Sequence, residues 1–278
     1  MPDVPLACSV RSCGLPLERR ERAFTCSAGH SFDIARSGYL NLLQPQDRRS
    51  PQAGDSKAAV EARAALDRSG VGRALIDAVI DRVAALHLPP DAIVLDLGAG
   101  SGEMLGKAWT GLSIAGIGID LSVAAVELAS RRFPSLTWIV ANADRRLPIR
   151  DRSVDVILSV HGRRNPSESA RVLKEAGLLI VALPAPDDLI ELRALVQGQG
   201  LERDRVEAML EEHATHFELI ERFQVRDQRQ LERDALVNLL QGTYRGARFT
   251  SWMKVAAIEP MAVTLSSDVC VLKCRTGG

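Results

Sequence analysis

Val94-Leu95-Asp96-Leu97-Gly98-Ala99-Gly100-Ser101-Gly102 reads as a buried strand that runs through a glycine-rich turn into a helix. Glycines let a backbone come close to a ligand, and the N-terminus of the helix that follows offers amides to an anion. A G-x-G-x-G turn serves more than one class of adenosine-containing ligand. The residues around it have to decide between them.

Downstream of the turn, short β-branched runs alternate with helical patterns. Strands are predicted at 92–97, 114–119, 136–141, 154–160 and 177–183, with helices near 101–109, 122–132 and 167–174. That alternation predicts an α/β fold with a doubly wound, mostly parallel sheet. Beyond Pro186 the pattern predicts helices near 187–198 and 203–212, a strand near 216–226, a helix near 229–241 and a last strand near 261–274, the two late strands forming an antiparallel pair. Upstream, Asp55 or Ser56 caps a helix that Gly70 stops, and Leu75, Ile76, Val79, Ile80 and Val83 mark the next one, which ends at Pro89-Pro90.

Two acidic residues narrow the ligand. Asp120 ends the second strand, where a carboxylate accepts from ribose hydroxyls. Asp144, in Asn142-Ala143-Asp144-Arg145-Arg146-Leu147-Pro148, follows the third strand, where it can accept from an adenine amine. Nothing later supplies a second dinucleotide-binding half, so S-adenosylmethionine is favoured over a nicotinamide cofactor.

The 278 residues hold 35 Lys plus Arg and 35 Asp plus Glu, so no global field draws the chain to nucleic acid or an anionic membrane. Uncharged stretches such as 112–119 are far shorter than a bilayer span, and the first residues lack a secretory pattern; a soluble, cytoplasmic protein with no membrane partner is expected. Three of the five cysteines fall at Cys8, Cys13 and Cys26, and with His30 they read C-x4-C-x12-C-x3-H. Two close ligand pairs joined by a hairpin suit the tetrahedron of a structural Zn2+. Residues 8–32 hold too few large apolar side chains to form a core, so a metal staple is the economical reading. Cys270 and Cys274 sit in an apolar strand and are assigned to packing. Residues 44–56 (QPQDRRSPQAGDS) read as a linker, which divides the chain into a zinc-binding module at 1–43, the linker, and a cofactor domain at 57–278.

The zinc ligands, the stretch Phe32-Asp33-Ile34-Ala35-Arg36-Ser37-Gly38-Tyr39-Leu40-Asn41-Leu42-Leu43, then Gly54-Asp55-Ser56 and the D-x-G-x-G-x-G, G-I-D and A-D-x-x-L-P motifs follow one another in this order. The chain thereby resembles the RlmA family of large-subunit ribosomal RNA guanine-N1 methyltransferases, some of whose members confer macrolide resistance. The likeness runs from Cys8 to about Leu195. It implies the class I methyltransferase fold, and a zinc-ribbon-like domain at the N-terminus in which Cys8, Cys13, Cys26 and His30 hold the metal. It implies S-adenosylmethionine held by Asp96, Gly98, Ala99, Gly100, Gly102, Glu103, Asp120, Leu121 and Asp144. It also implies a hairpin of large-subunit ribosomal RNA as partner, and it admits a homodimer. The family commonly carries an aromatic residue near Val71-Gly72 and a histidine near Asp188, and this chain has neither.

Exocyclic amine methylation usually relies on an Asn/Asp-Pro-Pro-aromatic loop after the fourth strand, whereas this chain has Val160-His161-Gly162-Arg163-Arg164-Asn165-Pro166. A ring nitrogen is therefore the expected target. Guanine N1 must lose a proton, so His161 is a candidate base, and Arg163 and Arg164 are candidate stabilisers of charge on O6. Arg11, Arg19, Arg20, Arg22, Arg36, Arg48 and Arg49 in the first 50 residues, and Arg145, Arg146, Arg150 and Arg152 later, can meet phosphates. Tyr39, Phe32, Trp109 and Trp252 are the aromatics able to stack on a splayed base. Two other readings stay open: a small-molecule methyltransferase, and a zinc-ribbon RNA-binding protein with an inactive cofactor domain.

Overall fold

The structure, a computed structural model, describes residues 4–47, 54–111, 114–197, 204–242 and 259–275. In chain order the elements are β1 (Glu18–Arg20), β2 (Ala23–Thr25), β3 (Ser31–Asp33), β4 (Leu40–Asn41), α1 (Lys57–Ser69), α2 (Arg73–Ala84), β5 (Ile93–Leu97), α3 (Glu103–Gly111), β6 (Ala115–Asp120), α4 (Val123–Arg132), β7 (Thr137–Val140), β8 (Val154–Val160), α5 (Pro166–Val172), β9 (Leu173–Pro184), α6 (Ile190–Gln197), α7 (Val206–His213), β10 (Phe217–Leu231), α8 (Arg233–Gly242) and β11 (Met261–Cys274). No helix among the described residues is long and apolar enough to cross a membrane.

The large sheet runs β10-β11-β9-β8-β5-β6-β7-β4. Strands β4 to β9 within it pair in parallel, and β11 lies antiparallel between β9 and β10, as the sequence pattern predicts for the late strands. Side chains alternate across it. Leu95, Leu97, Ile117, Ile119 and Ile139 point to one face; Val94, Trp138 and Val140 point to the other, where they meet Val79, Val83, Leu105, Val126 and Ala129 of α2, α3 and α4. Space for Trp138 on that face comes from glycine: a Cβ on Gly118 would collide with the indole, and one on Gly102 would lie 2.5 Å from its Cη2.

The opposite face explains the N-terminal segment. Residues 141–153, connecting β7 to β8, form no helix, so Leu97, Ile119 and Ile139 lack the helical cover that a parallel sheet normally receives. The N-terminal module supplies it: Leu6, Cys8, Leu17, Phe24, Cys26, Leu40 and Leu42 belong to the same buried cluster. Leu6 bridges Ile149, Ala7 N donates to Pro148 O at 3.0 Å and Arg150 N donates to Pro5 O at 2.8 Å. At the sheet edge Leu40 and Asn41 pair with Ile139 and Val140. The module's last strand is thus part of the large sheet, and its scarcity of apolar residues is met by a borrowed core as well as by its ligand cluster.

Several boundaries differ from the sequence pattern. The helix predicted to reach 174 ends at Val172, because Leu173 is drawn into pairing with Val154. The strand predicted to end at 226 continues to Leu231, and the following helix starts at Arg233 rather than 229. The polar run Asp227-Gln228-Arg229-Gln230 has weak strand propensity, but β11 offers it a partner as far as Met261, and pairing overrides propensity. Ser56 is the cap of α1, its hydroxyl accepting from Ala59 N at 3.2 Å; Asp55 pairs with Arg63 instead. Arg48, Arg49 and Trp252 lie outside the described residues.

Candidate cofactor cleft and metal centre

The glycine turn is held from within. Gly98 and Ala99 donate to Ile119 O at 2.9 and 3.0 Å, Gly102 N donates to Ala99 O at 2.9 Å, and Gly98, Gly100 and Gly102 have φ of 78°, 54° and 82°. The Gly100 amide donates to Asp120 Oδ2 at 2.9 Å, while Asp120 Oδ1 accepts from Ser122 N at 2.8 Å. Asp120 therefore ties the end of β6 to the turn after β5 and keeps further lone pairs for a ligand. Burial raises its pKa, and its two amide donors oppose that.

Asp96 sits 2% exposed at the end of β5, and its carboxylate takes no hydrogen bond among the described residues. Burial, with Asp120 nearby, pushes its pKa up to about 7. A buried carboxyl without a donor is costly and fits a cationic or hydrogen-bonding group such as the ammonium of an amino-acid moiety. Glu103, at the start of α3, bonds Arg132, which also approaches Asp67, and Asp67 accepts from Ser101 Oγ at 3.1 Å. Helix α1 thus lies across the turn, a contact that nothing in the local sequence pattern announces.

Asp144 and Arg163, assigned separate duties by the sequence, are partners: Nη1 of Arg163 is 3.2 Å from Asp144 Oδ2. Asn142 orders this loop by accepting from Asp144 N at 3.0 Å and donating to Asp47 O at 2.8 Å. Arg164 folds back to Gly162 O at 3.2 Å, and its buried Nε has no hydrogen-bond partner among the described residues. His161 stands at the mouth of β8 with φ 52°, Nε2 2.9 Å from Ser267 Oγ. The surrounding protein, then the charges of Arg63 and Arg205, push its pKa down to about 4, so the ring is neutral near pH 7. Gly162 places this loop on the cofactor turn: a Cβ there would collide with Leu97 O, and one on Gly98 would lie 3.1 Å from Gly162 Cα. Leu121 follows Asp120 in a loop against which Gly54 is seated; a Cβ on Gly54 would be 2.6 Å from Ser122 N.

Val71 and Asp188, the two departures from the family pattern, lie in one region. Val71 is buried in a cluster with Leu192 against which Leu189 packs, and Asp188 accepts from Ser266 N at 2.9 Å, its pKa pushed up to about 6 by burial. Ser267, Asp67 and Arg63 escape sequence reading, because each matters through a partner far away in the chain. Tyr39 and Phe32 pack against the two opposite core clusters, and Trp109 lies on α3.

At the other centre, one ligand atom from each of Cys8, Cys13, Cys26 and His30 lies within 4.8 Å of the rest. Cys13 Sγ to Cys26 Sγ is 3.9 Å, and His30 Nδ1 is 3.5 Å from Cys8 Sγ and 3.4 Å from Cys26 Sγ. A tetrahedral zinc with bonds of about 2.3 Å to sulfur and about 2.0 Å to nitrogen has edges of about 3.5 to 3.8 Å. The donor set and its spacing fit that ion. Turns at Ser12, Gly14 and Gly29, with φ of 64°, 66° and 84°, shape the two knuckles.

A sheet of this order, a glycine turn braced by the aspartate of the next strand and a separate Cys3His centre define an S-adenosylmethionine-dependent methyltransferase with an N-terminal structural zinc site. Comparison with known proteins agrees. Residues 7–51 match the RlmA N-terminal zinc-ribbon family and residues 94–178 match a methyltransferase domain family. A Streptomyces fradiae protein described as 23S rRNA (guanine(748)-N(1))-methyltransferase is 38% identical over 230 residues, 81% of this chain and 80% of that one. A Micromonospora griseorubida protein described as a putative 23S rRNA (guanine-N(1)-)-methyltransferase is 33% identical over 93% of this chain and 94% of its own. The chain belongs to this 23S rRNA (guanine-N1)-methyltransferase family.

Proposed function

We propose that the chain methylates N1 of a guanine in a hairpin loop of large-subunit ribosomal RNA, acting in the cytoplasm. The observation that carries this beyond family membership is a juxtaposition. Arg146, two residues after Asp144, lies against the zinc knuckle, where a Cβ on Gly14 would be 3.2 Å from its Nη2. The exposed Arg11, Arg19, Arg20, Arg22 and Arg36 of the module are thereby joined to the exposed Arg145, Arg146, Arg150 and Arg163 of the carboxyl edge. One continuous basic surface can position a phosphate backbone while a base enters beside the cofactor cleft.

S-adenosylmethionine supplies an electrophilic methyl group on a sulfonium. In this reading Asp96 meets its ammonium, Asp120 its ribose and Asp144 its adenine, with Gly98, Ala99, Gly100, Gly102, Glu103 and Leu121 shaping the walls. Transfer of that methyl to N1, with release of the thioether, would require the N1 proton to depart. His161, neutral and oriented by Ser267, accepts a hydrogen bond from N1–H and passes the proton toward solvent rather than holding it. A homodimer is the assembly that accompanies this reading, and light scattering tests it.

The deciding experiment is reverse transcription of large-subunit RNA incubated with the protein and cofactor. A methyl on N1 blocks the Watson–Crick edge, so a stop at a hairpin guanine is expected. No stop, together with methyl transfer to a small metabolite, overturns the proposal.

A further inference from the structure

Methylation at a ring nitrogen beside a carbonyl leaves negative charge to be held until the methyl is bonded, and the two arginines nearest in sequence to His161 are engaged elsewhere: Arg163 with Asp144, and Arg164 folded back on Gly162. Arg63 is not. It lies one turn before Asp67, the residue that bonds Ser101 of the glycine turn. Its Nε donates to Gly242 O at 2.6 Å and its Nη1 to the Asp55 carboxylate, while Nη2 has no hydrogen-bond partner among the described residues. The Asp55 carbonyl accepts from Ser122 Oγ at 2.8 Å, and Ser122 N donates to Asp120. The guanidinium is thus clamped on two sides at the rim of the cleft, with its side chain 38% exposed. Through Asp55 and Ser122 it is linked to Asp120, and its charge acts on both Asp120 and His161.

We propose that Arg63 is an oxyanion-binding residue of this cleft, its clamped guanidinium donating Nη2–H to an anionic oxygen carried either by the target base as N1 loses its proton or by the carboxylate of the cofactor. A fork already fixed through two of its nitrogens loses little further freedom when the third binds, which is how a preorganised cation stabilises developing charge. The inference rests on the methyl-transfer function proposed above.

The test uses the full chain carrying zinc, with Arg63→Gln, which removes the charge, and Arg63→Lys, which keeps it. Binding of S-adenosylhomocysteine and of its decarboxylated analogue is measured by calorimetry, and single-turnover methyl transfer to a ribosomal RNA fragment is followed across pH. If the base carries the oxygen, R63Q lowers turnover roughly 30-fold. S-adenosylhomocysteine affinity is then unchanged, the rise of the pH profile moves to higher pH because the N1 proton is harder to lose, and R63K recovers part of the rate. If the cofactor carries it, R63Q weakens S-adenosylhomocysteine binding roughly 10-fold or more and leaves the decarboxylated analogue unaffected. Unaltered affinity, turnover and pH profile in R63Q overturns the proposal. Equal weakening for both cofactor analogues without rescue by R63K overturns it too, because the clamp is then only structural. Wild-type protein that binds cofactor but leaves the RNA unmethylated defeats the function instead, and the two cofactor analogues still report on Arg63.

Discussion

The zinc module and the cofactor domain solve the same problem, a buried core, by opposite means. The cofactor domain carries its own apolar periodicity and covers one face of its sheet with α2, α3 and α4. The module holds three-residue strands, β1 to β3, in a sheet of their own, and depends on a Cys3His cluster and on the uncovered face beneath Leu97, Ile119 and Ile139. Each region completes the other. A module that is separable in sequence is therefore not separable in energy, and the linker expected at 44–56 begins after the chain has already entered the large sheet at β4.

The sharpest way to break this comparison is to remove the metal. Structural zinc contributes about 10 kcal/mol or more of folding free energy in small modules. Chelation or Cys26→Ser should therefore unfold the module and destabilise the cofactor domain with it, read as one lowered melting transition of the whole chain. Two independent transitions, with the second at its original temperature, would mean that the shared cluster does not couple the halves. Deleting residues 1–43 comes next. A cleanly separable module predicts unchanged cofactor affinity; exposing the Leu97, Ile119 and Ile139 face predicts aggregation or a loss of several kcal/mol, at roughly 25 cal/mol per Å2 uncovered. A soluble, fully stable truncation would restore the modular view.

Within the cofactor domain, Gly102→Ala brings a Cβ to 2.5 Å from Trp138 at a φ of 82° and should cost about 2–4 kcal/mol by denaturant unfolding, without touching zinc content. Asp120→Ala should weaken S-adenosylhomocysteine binding by about 1–3 kcal/mol, since it removes the proposed ribose contact together with the acceptor for the Gly100 and Ser122 amides; unchanged calorimetric affinity would sink the assignment. The smallest effect is in pH. Asp96 has a pKa raised to about 7 from an unfolded value near 3.8, so the stability it adds is complete below about pH 4 and lost as pH rises through about 7. The melting temperature of the cofactor-free protein should fall by a few degrees over that window, and Asp96→Asn should flatten the slope.

Much of this was legible in the chain. The glycine turn, Asp120 and the Cys-x4-Cys-x12-Cys-x3-His spacing each carry their chemistry within a few neighbours, and the strands from β5 to β8 lie within two residues of their predicted bounds. What the sequence hid depends on distant partners. Asp55 reads as a helix cap until Arg63 is seen to take it, and nothing near Asp144 in the sequence announces that Arg163 lies beside it. Leu6 carries no local signal of its partner Ile149, 143 residues on. The end of β10 is lost for the same reason, since its polar residues are ordered only by β11.

The pairing of Leu6 with Ile149 and of Leu40 with Ile139 also sets an order in time. During synthesis the module leaves the ribosome first, yet the strand and the apolar face that complete it are made roughly 100 residues later, an interval of several seconds at ordinary rates of translation. For that interval Leu6, Leu40 and Leu42 lack their partners in the large sheet, and the four metal ligands, complete by residue 30, together with the small β1–β3 sheet hold the segment in shape. Zinc captured at this stage acts as a placeholder for a sheet that does not yet exist.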